Sequence, residues 1–291
     1  MKATPASQSP LILTPRDEDM LNALHTYRYM SAKDMAYLLF SPRILNYVRS
    51  RMVRLAGGED FAAHAYLCRF QLPTTTQKGE KIFTLGARGR HFLQEAGLPV
   101  DWYFRPSKLP HFGFSHLTHA LLQTRVVVAA SSFSRQQQQQ FRLTQSRLSY
   151  DLSRLGLSVI PDAWLVFENQ QGKKYQILLE IDRGTQYQVA FKRHIKERLE
   201  FIDNEDHVKL FGIKAVMVAY VTTGQRPEHR DSRKATLLRW IQELLTELEI
   251  EDWAGLFRVT SVVLGEVYDA GIYEKAIWYK PDAAKPTPLF L

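Results

Sequence analysis

Three features of the sequence predict an α/β (α+β) chain of two domains, one small and helical with a β-hairpin, one larger and built on a mixed sheet. Three capped helix starts precede Gly57-Gly58, and two strand-like runs follow them. Beyond a proline-rich stretch the order becomes helix, three strands, helix, strand. At 291 residues the chain is long for one domain and comfortable for two.

Residues 1–13, with Pro5 and Pro10, read as a loose leader. Thr14-Pro15-Arg16-Asp17 then begins a helix, with Thr14 as N-cap, Pro15 at the first helical position and Asp17 closing a shortened capping box. Met20, Leu21, Leu24 and Tyr27 give that helix one apolar side. Ser31-Ala32-Lys33-Asp34 repeats the pattern before a short helix over 32–40, and Ser41-Pro42 starts a third that Gly57-Gly58 stops.

The third helix is two-sided. At about 100° per residue, Ile44, Leu45, Val48, Met52 and Leu55 share one side, while Arg43, Tyr47, Ser50, Arg51 and Arg54 form a stripe on another. An apolar side docked on the preceding helices and a basic side turned outward is what reading the major groove of double-stranded DNA requires. Strand-like runs at 64–72 and 81–85 follow, joined by a polar loop carrying Lys78, with Lys81 opening the second run and a closing helix at 86–96. Residues 14–97 thus resemble a winged helix-turn-helix. Two blander readings stand beside DNA binding: a solvated basic face, and a protein-contact module.

Residues 98–111, rich in proline, read as a linker, and residues 112–276 as the second domain. Its first helix, 114–131, is apolar on most sides. His116 and His119 sit three apart on it with no third metal ligand nearby, which favours packing or a phosphate contact. A strand at 141–148 precedes a hairpin whose arms, 159–167 and 175–181, flank the turn-like 168–173. A helix at 188–203, a strand at 214–222, a loop at 223–232, a helix at 233–248 and a strand at 257–264 complete the domain. Residues 277–291 read as an irregular tail.

The hairpin carries acids where a sheet would ordinarily hold hydrophobes: Asp162 near the start of one arm, Glu180 and Asp182 at the end of the other. Hairpin geometry makes these neighbours, and clustered carboxylates repel one another unless a cation joins them. Hard cations such as Mg²⁺ or Mn²⁺ suit carboxylate and phosphate oxygens, so the arrangement points to metal-assisted phosphodiester chemistry. The contrary reading is ordinary: Pro-Asp pairs are common in turns, and Pro281-Asp282 recurs in the tail with no strand around it.

Pro161-Asp162 followed by Glu180-Ile181-Asp182 resembles the PD-(D/E)XK nuclease superfamily. That resemblance implies a restriction-endonuclease-like mixed sheet, with Asp162, Glu180 and Asp182 as metal ligands. The superfamily carries lysine where Asp182 stands, so a cation from the following helix is needed, and Lys192 is the candidate, with Lys196 one turn on. The fuller string, Pro161-Asp162-Ala163 with Glu180-Ile181-Asp182-Arg183-Gly184-Thr185 and a helical lysine, is more similar to the plasmid replication-relaxation family. Membership implies a protein of a plasmid or mobile element, acting at a DNA origin in replication or mobilisation as a nickase or relaxase-like phosphodiesterase, with Arg183 on phosphate. Replication or mobilisation proteins, or a second copy, are the implied further partners.

Two other functions remain open on the residues alone. The lysine missing at position 182 and the absence of an acid on the 114–131 helix favour an inactive, DNA-binding regulator on a nuclease-like scaffold. A relaxase using a covalent tyrosine, Tyr150 or Tyr187, is the weaker alternative, since no three-histidine cluster accompanies them.

Composition narrows the field. The net charge of +8 suits an anionic partner, and no acid falls between Asp101 and Asp151, where Arg105, Lys108, Arg125, Arg135, Arg142 and Arg147 lie. Apolar runs such as 126–130 and 215–221 fall far short of a membrane span, and no export signal opens the chain. The single cysteine, Cys68, excludes an internal disulfide and a cysteine-based zinc cluster and fits a reducing cytoplasm.

Overall fold

The computed structural model describes residues 11–57, 65–72, 79–100, 102, 113–137, 140–223, 227–269 and 271–290. The chain divides into two compact units, Met1–Leu117 and Thr118–Leu291. Most of the expected linker, and the 73–78 part of the hairpin loop with Lys78, lie outside the described residues, as do Arg105 and Lys108.

In unit 1 the caps act as their sequence requires. Helix α1, Pro15–Tyr27, opens with the Thr14 N–H donating to Asp17 Oδ2 at 2.7 Å. Strand β1, Met30–Ser31, runs into α2, Ala32–Leu39, where Ser31 and Asp34 cap each other reciprocally at 3.2 and 2.7 Å. A 3-10 turn, Pro42–Ile44, leads into α3, Leu45–Leu55. Strands β2, Leu67–Gln71, and β3, Lys81–Leu85, pair antiparallel, and β1 adds to the far side of β3, giving the order β1-β3-β2. Helix α4, Ala87–Glu95, closes the unit. A side chain at Gly89 would collide with the Tyr66 carbonyl, so glycine there lets α4 lie tight on the sheet. Met20, Leu24, Met35, Val48, Met52, Ile82, Phe83 and Leu93 are fully buried, and Cys68 is buried and free.

Unit 2 is a five-stranded mixed sheet in the order β4-β5-β6-β7-β8. Helix α5, Phe114–Gln136, precedes β4, Phe141–Leu148, and a short α6, Ser149–Leu152. Strands β5, Ala163–Asn169, and β6, Lys174–Asp182, form the expected hairpin, and β5 runs antiparallel to both β4 and β6. Helices α7, Gln188–Asp203, and α8, Asp206–Phe211, then bring the chain to β7, Val216–Thr223, which lies parallel to β6. Helix α9, Pro227–Glu247, precedes the last strand, β8, Phe257–Val262, parallel to β7. The loop expected over 223–232 is shorter, because α9 starts at Pro227, a residue whose missing N–H costs nothing in a first turn.

Leu178 of β6, Val218 and Tyr220 of β7 and Val259 of β8 pack with Phe191, Ile195, Leu199, Leu237, Ile241 and Leu244 into one core. On the sheet's other side, Tyr273 donates to the Val126 carbonyl of α5 at 3.2 Å. The tail is irregular but far from loose. Val259 and Tyr279 exchange backbone hydrogen bonds at 2.9 Å along the outer edge of β8, Trp278 is fully buried, and Phe290 stacks on Phe141 at 4.5 Å. Among the described residues no helix is long and apolar enough to cross a membrane.

Candidate functional site

On α3 the apolar and basic sides separate as the spacing predicts, with one exception. Val48, Met52 and Leu55 are buried, while Arg43, Tyr47, Ser50 and Arg54 are exposed, Tyr47 by half. Ile44 and Leu45 sit at the margin of the apolar side and stay partly in solvent. The exception is Arg51, which corrects the expectation that it faces outward. Its Nε donates to Asp17 Oδ1 at 2.6 Å, and its Nη2 donates to Asp17 Oδ2 and to the Ile12 carbonyl at 2.8 Å. Asp17 is almost wholly buried at the start of α1, where an uncompensated carboxylate would be costly. Burial pushes its pKa up, but Arg51 and Thr14 more than offset this and hold the carboxyl below its ordinary range. Lys81 is exposed at the start of β3.

The acids of unit 2 gather at the carboxyl end of β6, where Glu180 and Asp182 are each paired with an arginine and Asp162 meets a histidine. Asp162 immediately precedes β5; its Oδ1 lies 2.9 Å from His119 Nε2 on α5, and its Oδ2 accepts the Ile181 N–H at 2.7 Å. The Asp162 carbonyl accepts from the Ser149 N–H at 2.9 Å and from the Gln123 side chain. Glu180 Oε1 accepts both from Arg198 Nε at 2.7 Å and from Arg198 Nη2. Asp182 takes the fork of Arg233, Nε to Oδ2 at 2.7 Å and Nη2 to Oδ1 at 2.9 Å. Glu180 and Tyr220 face each other in the parallel register of β6 and β7, and the Tyr220 hydroxyl is buried with no hydrogen-bond partner among the described residues.

These surroundings set the protonation of Glu180. Burial raises its carboxyl to about 7, the neighbouring Asp162 adds to the rise, and the Arg198 guanidinium opposes both. Burial lowers the pKa of Arg198 most, but the attractions of Glu180, Tyr220 and Asp162 together outweigh this and the guanidinium is raised.

Lys192 is not brought to the acids. Its Nζ meets Glu247 Oε1 at 2.5 Å and Glu243 Oε2 at 3.3 Å on α9, so the nuclease-lysine role has no geometric support. The reason is rotational. Phe191, Ile195, Leu199 and Ile202 are the buried face of α7, and Arg198 lies within that stripe while Lys192 lies beside it. Arg183 is half-buried and donates to Thr118 Oγ1 at 3.4 Å. Arg125, from the acid-free stretch, is buried and donates to the Leu264 carbonyl at 2.8 Å, while Arg142 pairs with Glu168 at 3.2 Å.

Mg²⁺ or Mn²⁺ does not fit the acids as they are arranged. Among the described residues no three His, Cys, Asp or Glu side chains are grouped to hold a metal ion. An ion shared by Glu180 and Asp182 would displace Arg198 and Arg233, whose guanidinium groups are nearly buried and would lose their counter-charges.

The sequence reading missed His119 as a partner of Asp162, and both Arg198 and Arg233. A signal for the two arginines was available. Each falls in register with an apolar helical stripe, Arg233 one turn before Leu237 and two before Ile241, and a charge at such a position needs a buried counter-charge.

An α+β protein with an outward basic helix in one unit and a set of internally neutralised acids in the other is the class that these sites define. The replication-relaxation family matches residues 21–211, well over half of the sequence, and the chain belongs to that family. Membership associates it with the replication or mobilisation of plasmids and other mobile elements. The match spans Asp162, Glu180, Asp182 and Arg198 but ends before Arg233. Neither a curated protein nor a solved structure matches the chain.

Proposed function

We propose that this chain is a DNA-binding protein that acts in plasmid or mobile-element replication or mobilisation, gripping duplex DNA through α3 of a winged-helix-like unit 1. The supporting observation is the exposed stripe Tyr47, Ser50 and Arg54 on α3, whose opposite side is buried, with Arg43 exposed on the 3-10 turn that leads into it. Such a helix offers cations to phosphates and a tyrosine and a serine to base edges. Unit 2 then serves as a nuclease-like scaffold without cleavage, a reading favoured by the arginine pairs on Glu180 and Asp182. The test is duplex binding by the full chain and by the Arg43→Glu, Arg54→Glu double variant across salt. Affinity should fall by roughly 10-fold or more between about 50 and 200 mM salt, and the double variant should lose most of it. Binding indifferent to both would remove the α3 reading.

Metal-dependent nicking by Asp162, Glu180 and Asp182 is the rival, and the observation in its favour is that the Asp162 carboxylate accepts the N–H of Ile181, the residue between the other two acids. Supercoiled DNA carrying the element's origin, incubated with protein and Mg²⁺ or Mn²⁺, should remain intact. Nicking that disappears in Glu180→Ala would establish the rival.

A further inference from the structure

The most outward line of α3 runs beside the Tyr47 and Arg54 stripe, not along it. Val48, Met52 and Leu55 are buried, and at about 100° per residue the line opposite them passes between Asn46 and Ser50, each within about 30° of it. Both are exposed. Tyr47 and Arg54 lie toward one flank of that line, and Arg49, also exposed, lies toward the other. Asn46 is the second residue of α3, and its Oδ1 accepts from Arg49 Nη1 at 3.2 Å, one turn on.

A helix face that meets only water is built differently. Residues 35–58 contain no acid, and among the described residues Arg43, Arg49 and Arg54 enter no ion pair. A solvated helix rich in arginine ordinarily carries acids three or four residues away. Asn and Ser are also weak helix formers, because their side chains compete for backbone hydrogen bonds. Here they hold the outermost positions, where lysine, glutamate or alanine would serve a merely wet face better. A protein partner, in turn, would want an apolar centre, and the centre of this face is polar.

We propose that Asn46 is the residue through which α3 reads sequence, with its amide set on an adenine in the major groove. The assignment rests on the duplex-binding reading and goes beyond it by making that binding sequence-specific. Adenine presents N7 as an acceptor and its N6 amino group as a donor, and one carboxamide matches both, Nδ2 donating to N7 and Oδ1 accepting from N6. A carbonyl oxygen has two lone pairs, so the Arg49 hydrogen bond persists and holds the amide in place. Ser50 stands beside it and suits either base of a pair. The flanks turn Arg49 and Arg54 toward the phosphates of opposite strands, contacts that position a helix without reading it. Recognition helices set their N-terminal residues against the bases, and Asn46 stands at that end of α3.

The test selects bound duplexes from a randomised library with the full chain, sequences them and measures competition against the selected site. The parent should select adenine at one position, and changing that base should weaken binding by roughly 10-fold. Asn46→Ala should accept all four bases there while the other selected positions stay. Asn46→Asp, which accepts but cannot donate, should exchange the adenine for a cytosine, whose N4 amino group donates. Asn46 is exposed, so neither change disturbs the core. Unchanged selection in both variants, or a loss in Asn46→Ala that is equal on every sequence, would overturn the assignment. Duplex binding with no preference for any sequence would overturn it too and leave the α3 reading standing, whereas no duplex binding at all would remove both.

Discussion

The arginines on α3 and the turn before it, and those of unit 2, are the same residue put to opposite uses. Arg43 and Arg54 stand in solvent, whereas Arg198 and Arg233 lie inward against Glu180 and Asp182. Arg51 belongs with the second set although it shares a helix with the first, because Asp17 needs it. Net positive charge is therefore a poor guide to how many cations a partner can meet. What decides is whether a buried carboxylate lies within reach, since an unpaired buried charge costs more than a surface charge gains.

Removing an inward cation should have the largest effect. Arg198→Ala should destabilise unit 2 by on the order of 3 kcal/mol, the cost of breaking a nearly buried pair. Chemical denaturation would show it, and a loss under about 1 kcal/mol would place Arg198 among the surface pairs instead. By contrast, Arg43→Glu with Arg54→Glu should leave stability within about 0.5 kcal/mol while duplex affinity falls. A matched loss of stability would erase the distinction between outward and inward arginines.

The next effect depends on pH. The Glu180 carboxyl is raised in the folded state from an ordinary value near 4.5 to about 7. The folded protein thus binds this proton more tightly than the unfolded chain does, and the associated stability is full below the ordinary value and lost as pH rises through about 7. Glu180→Gln mimics the protonated form, so its melting temperature relative to the parent should be higher at pH 8 than at pH 5. The reverse trend would mean that Arg198 outweighs burial and keeps the carboxylate ionised. Smallest of all, Lys192→Ala should cost less than about 1 kcal/mol, because Glu243 and Glu247 keep about half of their side-chain surface in water.

Much of the architecture was legible because local rules set it. Thr14 with Asp17 and Ser31 with Asp34 start helices through contacts three residues apart, and the two runs around 168–173 form a hairpin for similarly local reasons. The convergence of Asp162, Glu180 and Asp182 on one end of the sheet follows from that hairpin too. What neutralises the acids was not local. Arg233 lies 51 positions from Asp182, and His119 lies 43 from Asp162, across elements whose docking no periodicity specifies. Lys192 was favoured because it repeats a motif's spacing, yet Arg198, about 120° around α7 from it, is the side chain on the core face that enters the acid cluster. The short β1, α6 and α8 are too brief to leave a periodic signal.

The packed tail has a consequence for the time course of synthesis. Unit 1 completes its core by about Val100, so it can fold while the rest of the chain is still being made. Unit 2 is different, because Trp278 and Leu289 fill its interior, Phe290 stacks on Phe141 and Tyr279 seals the β8 edge. A ribosome that has just translated β8 holds a sheet with a bare parallel edge and an unfilled aromatic cavity. During that interval unit 2 is at its most prone to misassociate, and residues 278–290 act as the latch that ends it.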